Sequence, residues 1–308
     1  SQVKLMKGST LLAQMPGAEI VTFAGINHSI PANTSEVLDV VLVLSNVGTG
    51  AGQTGADITT QLLDSVVDDT TDNRIKVIPA STGIVGNIAT DPTTITAGNE
   101  IRVYKSIPTI ELVSLPSSQL AVGTRTLQKF TISADAAGPI SWNQLVFTID
   151  KTTTAKFGSV GLYDGSTEIT GDWTESADLS TTLGGTSTGN AITGTMKFVP
   201  AAEQQIPAGS SKTYEVKITV AGGTTYSDDY IMSKIDADAI NTTPDSDGAS
   251  TTSDALTGAN FVWSDMSAQG HATGSDGTAD WTNGYLVKNL PTDTQVLTGA
   301  GTRPASAS

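Results

Sequence analysis

Apolar and polar residues alternate with period two along much of this chain, and that alternation most limits the folds open to it. Leu127-Gln128-Lys129-Phe130-Thr131-Ile132-Ser133 and Tyr214-Glu215-Val216-Lys217-Ile218-Thr219-Val220 each put apolar side chains on one face of an extended strand. Helical spacing of apolar residues is nearly absent. Clusters of turn residues separate the strands: Asp135 to Pro139, Asp164-Gly165, Gly184-Gly185, Gly222-Gly223 and Pro244 to Gly248. Short strands broken this way predict antiparallel sheets packed face to face. The expected fold is all-β, two tandem immunoglobulin-like β-sandwich domains.

Composition narrows the function. The chain has 308 residues, enough for two cores. Asp outnumbers Glu by 23 to 8, which favours turns over helices. A net charge of -15 with only 16 Lys and Arg excludes nucleic acid as a partner, because phosphate binding needs clustered cations. The longest apolar run, Val37 to Leu44, is strand length and is interrupted by Asp39, so no membrane span is expected. There is no Cys, and His28 and His271 are the two histidines, far apart in sequence. Thiol, triad and zinc chemistry therefore lack their usual groups, and nothing marks a glycosidase-type carboxylate pair. The expectation is that the chain is not an enzyme. Ser1 in place of Met, without a basic and apolar leader, leads us to expect an exported, processed chain.

An internal echo organises the chain. Ile30 to Leu44 (IPANTSEVLDVVLVL) aligns without gaps with Ile206 to Val220 (IPAGSSKTYEVKITV). Both share Ile-Pro-Ala, a Ser (Ser35, Ser211) and a Val (Val40, Val216), with apolar residues at matching alternate positions. Far fewer residues precede the first copy than the second. The N-terminal domain is thus expected to lack strands its counterpart has, leaving an edge that a neighbouring subunit could complete; a domain that is simply smaller is the competing reading. The expected boundaries are a strand-incomplete N-terminal β-sandwich over 1–106, a C-terminal β-sandwich over 107–291, and a linker or extended arm over 292–308.

Four segments carry a family resemblance: ITAGNEIRVYKSIPT (95–109), GTRTLQKFTISADAAGPIS (123–141), FVWSDMSA (261–268) and DWTNGYLVKNLP (280–291). The last is the most specific, with Trp281, Gly284, Tyr285 and the run Lys288 to Pro291. Together they resemble repeat units of large secreted β-sandwich surface proteins of candidate phyla radiation bacteria. The composition is also similar to that of surface-layer proteins. The resemblance implies an extracellular, cell-surface location and β-sandwich modules, and it carries no catalytic residues.

Calcium is the cofactor this composition suits, since it takes hard oxygen ligands from turns. Asp236, Asp238, Asp245 and Asp247 form the densest cluster; Asp64, Asp68, Asp69 and Asp72 form a second, and Asp265, Asp276 and Asp280 a third. None fits an EF-hand, and solvated or capping Asp is the plainer reading. Trp263 and Trp281 flank a Gly, Ser and Asp-rich loop, where a ligand-binding platform for sugars would lie; core packing is the alternative. Asn27, Asn33 and Asn241 open N-x-Ser/Thr triplets and are candidate glycosylation sites.

These features lead to an expected function. The chain is expected to be an extracellular structural protein that self-assembles into a cell-surface layer or filament, with other copies of itself as partner and cell-envelope glycans as further partners. The alternative is a surface adhesin or carbohydrate-binding module using Trp263 and Trp281.

Overall fold

The computed structural model describes residues 1–44, 47, 56–62, 76–77, 86–87, 96–97, 101–176, 192–221, 227–239, 256, 258–267, 271 and 280–301. Every bounded element among them is a strand, as the alternation predicts. The chain divides into two compact units, Ser1–Gly52 and Gln53–Ser308.

The first unit is a three-stranded antiparallel sheet in the order β2-β1-β3, from Gln2–Lys7 (β1), Thr10–Pro16 (β2) and Asp39–Val43 (β3). A tight turn at Gly8, with φ of 56°, closes the β1–β2 hairpin; there glycine's lack of Cβ removes the left-handed penalty. Lys7 and His28 both reach the Glu36 carboxylate, at 2.7 and 2.5 Å. The Lys7 hydrogen bond, then that of His28, holds the Glu36 carboxyl below its usual range. This ties the long connection before β3 back to the end of β1.

The second unit begins with short antiparallel pairs: Ala56–Ile58 (β4) with Ile101–Val103 (β9), Gln61–Leu62 (β5) with Thr96–Ala97 (β8), and Lys76–Val77 (β6) with Gly86–Asn87 (β7). Two large sheets follow. One has the order β10-β12-β19-β14-β15, built from Thr109–Leu112 (β10), Gly123–Ser133 (β12), Phe157–Asp164 (β14), Thr167–Glu168 (β15) and Ser211–Val220 (β19). The other has the order β11-β23-β20-β13-β17-β16, from Gln119–Leu120 (β11), Ile140–Lys151 (β13), Gly171–Glu175 (β16), Ile192–Pro200 (β17), Tyr230–Ile235 (β20) and Gln295–Gly299 (β23). Gln204–Ile206 (β18) and Phe261–Ser264 (β21) also pair with β13, and Trp281–Asn283 (β22) pairs with β21.

These two sheets share one buried core. Phe130, Tyr214, Val216 and Ile218 point into it from the first sheet, and Trp142, Phe147, Ile149 and Phe198 from the second. Rings meet across the layers: Phe130 lies 5.9 Å from Phe147, and Trp142 meets Tyr214 edge-on at 5.4 Å. The Trp142 indole N–H donates to the Tyr214 hydroxyl at 3.1 Å, giving both buried polar atoms a partner. Burial pushes the Tyr214 hydroxyl's pKa far above its ordinary value.

Two boundaries differ from the sequence reading. The units part at Gly52/Gln53, not at 106/107. The Lys105 backbone N–H donates to the Asp265 carboxylate at 2.8 Å, and Tyr104 packs on Trp263 at 5.1 Å, so the stretch before Ile107 is held by the second unit. Residues 295–299, expected in a linker or arm, form β23, with Leu297 fully buried.

Candidate functional site

The first unit repeats part of the second, down to register. Asn33 (φ 60°) stands where Gly209 (φ 64°) stands in the echo, and both turns close with a backbone bond, Thr34 N–H to Pro31 O and Ser210 N–H to Pro207 O. Upstream, Val3, Leu5, Gly8, Ser9 and Thr10 match Val160, Leu162, Gly165, Ser166 and Thr167. Gly8 and Gly165 (φ 61°) make equivalent hairpin turns. Strand pairing agrees as well: Lys4, Leu5 and Met6 pair with Val41, Val40 and Asp39, as Gly161, Leu162 and Tyr163 pair with Lys217, Val216 and Glu215. Strands β2-β1-β3 therefore correspond to β15-β14-β19.

The copies differ in what lies beyond. In the second unit, β12 pairs along the other edge of β19 from Gly123↔Val220 to Ser133↔Ser211. In the first, the sheet ends at β3 among the described residues. Strand β3 and the residue after it read Asp-Val-Val-Leu-Val-Leu, apolar on both faces after Asp39, a pattern suited to a strand covered on both sides. Val40 is nevertheless 49% exposed and Leu44 44%, whereas their counterparts Val216 and Val220 are 0% and 1% exposed. The pairing places Val3, Leu5, Ala13, Met15, Val40 and Leu42 on one face of the sheet.

The expected metal ligands have other partners. Asp236 accepts from Lys234 Nζ at 2.5 Å and Thr148 Oγ1 at 2.6 Å. Burial works against its charge, yet Lys234 and Thr148 hold the carboxyl below its usual range. Asp238 accepts three backbone N–H groups, from Asn260 (2.6 Å), Phe261 (3.2 Å) and Gly284 (2.7 Å). Its oxygens pin β21 to the segment after β22, so the described partners of Asp236 and Asp238 are protein groups. Asp245 and Asp247 lie outside the described residues, as do Asn241, Asp276 and the cluster from Asp64 to Asp72. Among the described residues no group of three or more His, Asp or Glu is arranged to hold a metal.

Trp263 and Trp281 are brought together on neighbouring strands, but as packing. Trp263 is fully buried and its indole N–H donates to Asn283 O at 2.8 Å. Trp281 is buried and stacks on the His271 ring at 5.4 Å. A sugar-stacking platform needs an open ring face, and both rings are buried in this arrangement. Asn27 and Asn33 are exposed, Asn33 at the tip of the turn.

The sequence reading set His271 aside as an ordinary loop residue. Its Nδ1 lies 2.8 Å from the fully buried Asp280 carboxylate and its Nε2 2.9 Å from Glu203. Burial disfavours the charged ring, but hydrogen bonds and charge from Glu203 and Asp280 outweigh it and raise the pKa above its ordinary value. The imidazolium thus clamps the start of β22 to the residues before β18. A raised folded-state pKa contributes stability that is complete below the unfolded value of 6.5 and is lost as pH rises through the folded one. We predict that unfolding free energy falls over that interval above pH 6.5, and that His271→Gln removes this slope. Denaturant titrations of both proteins at a series of pH values check it.

No family model matches the chain, and no curated protein matches it. It is similar to a solved structure described as "AvmM Catalyzes Macrocyclization in Alchivemycin A Biosynthesis", at 11% identity and a TM-score of 0.26, over 67% of this chain and 94% of that one. The expectation that the chain is not an enzyme is withdrawn on this finding. At that TM-score no fold, reaction, substrate or residue role is carried over.

Proposed function

We propose that this chain is an extracellular structural protein that self-assembles into a cell-surface layer or filament, the open sheet of its first unit being completed by another copy. The observation that carries this reading is the exposure of Val40 and Leu44 where Val216 and Val220 are buried. Exposed apolar surface beside a strand edge that is unpaired among the described residues is costly in water and is relieved by strand addition. A contact between two different surfaces of the molecule whose rotation does not close a ring propagates, as a layer or filament requires.

In this reading the second unit is an immunoglobulin-like β-sandwich. The spatial orders β10-β12-β19-β14 and β11-β23-β20-β13-β17 support it, as does the parallel pairing of β11 with β23. Strands β1 to β3 belong to a second, partial domain of that kind. Calcium is the cofactor in this reading, held by carboxylates of the turns. Sedimentation of the purified chain across a concentration series, with calcium and after chelation, tests the proposal. Mass that rises with concentration to large species supports it; a monomer throughout, under both conditions, refutes it.

A further inference from the structure

The second unit shows what covers the edge that β3 leaves unpaired among the described residues. Along the equivalent edge of β19 runs β12, antiparallel, with Lys129 opposite Glu215, Gln128 opposite Val216, Thr126 opposite Lys217 and Arg125 opposite Ile218. Lys129 Nζ is 2.8 Å from Glu215 Oε1, and that hydrogen bond is the first cause of the lowered Glu215 pKa. The residue of β3 that corresponds to Glu215 is Asp39, also acidic and exposed, with no ion pair among the described residues. Next to it Val40 corresponds to Val216 and Leu42 to Ile218.

We infer that the edge of β3, unpaired among the described residues, is a receptor for one antiparallel strand of β12 chemistry, with a basic side chain set opposite Asp39. Carried over from β19, the register puts the positions of Lys129, Gln128, Thr126, Arg125 and Thr124 opposite Asp39, Val40, Val41, Leu42 and Val43. Backbone hydrogen bonds along the edge supply affinity without regard to sequence, while the Val40 and Leu42 face and the Asp39 charge select the strand. The inference rests on the proposed function and deepens it by giving the chemistry of the strand that completes the sheet. Its test is arranged to fail separately, because it reads the receptor alone and not assembly.

The probe is a synthetic peptide with the β12 sequence, Gly-Thr-Arg-Thr-Leu-Gln-Lys-Phe-Thr-Ile-Ser, added to the full chain at a concentration where the chain alone is dispersed. Amide hydrogen exchange is followed at Asp39–Val43 and, as an internal control, at Ser211–Val220. The expected result is saturable protection of the β3 amides by tenfold or more, with no change in β19. A scrambled peptide gives none. Asp39→Lys weakens binding severalfold, and the peptide with Glu in place of its Lys restores it. Absence of protection, or equal protection by the scrambled peptide, overturns the receptor. Protection that ignores the charge exchange overturns the register. Protection with no assembly of the chain leaves the receptor standing and sinks the self-assembly reading.

Discussion

The double substitution Val40→Lys, Leu42→Lys is expected to abolish self-association of the chain while leaving the thermal unfolding of its second unit unchanged. Both residues lie on the apolar face of the N-terminal sheet, paired through Leu5 and Val3 on β1. Burying two such side chains at a contact is worth about 4 kcal/mol, which corresponds to roughly a thousandfold in affinity. Lys at these positions removes that gain and adds the cost of desolvating two cations. The second unit folds around a core drawn from its own sheets, so its transition has no reason to move. Light scattering reads the association, and circular dichroism through a thermal ramp reads the folding. Full association of the variant at the wild-type concentration would exclude this face from the contact.

Asp238→Ala is expected to destabilise the second unit by about 4 kcal/mol. One carboxylate satisfies the backbone N–H groups of Asn260, Phe261 and Gly284. Alanine leaves three donors without an acceptor where β21 enters the sheet, and charge-assisted bonds are the strong ones. Gly284 packs closely on the clamp: a Cβ there would sit 2.8 Å from the Asp238 carboxylate and 3.1 Å from Phe261 Cβ. Asp238→Asn keeps one carbonyl oxygen but turns an amide N–H2 toward a donor, so it is expected to cost about half as much. Chemical denaturation of the two variants measures the difference. Equal stability of Asp238→Ala and wild type would mean that the clamp holds nothing.

The strands were legible because each alternates cleanly. β12 and β19 lie where the period-two pattern puts them, with Phe130, Ile132, Val216 and Ile218 inward. The echo at Ile30 and Ile206 was legible too, because Ile-Pro-Ala followed by Asn or Gly encodes a left-handed turn. Its hairpin partner escapes notice in the sequence. Val3, Leu5, Gly8, Ser9 and Thr10 match their counterparts, but Lys4 faces Gly161 and Lys7 faces Asp164, so the polarity of the two strands disagrees. Only the shared register makes the match plain.

The candidate sites were less legible, for a chemical reason. A carboxylate in a turn suits a cation and a set of backbone N–H groups equally well, and sequence does not separate Asp238 the clamp from Asp238 the ligand. Trp263 and Trp281 sit among Gly, Ser and Asp, which reads as an exposed loop; β21 and β22 nonetheless pair inside the larger sheet and bury both rings. His271 has no His or Cys neighbour close in sequence that would mark it, and Asp280, nine residues on, reads as one more loop carboxylate. Glu203 comes to it from 68 residues away.

Electron microscopy of the purified chain beside the Val40→Lys, Leu42→Lys variant tests the central claim most directly. The account predicts ordered filaments or sheets from the wild-type chain and dispersed particles from the variant. Dispersed, uniform particles from the wild-type chain at every concentration examined would contradict it.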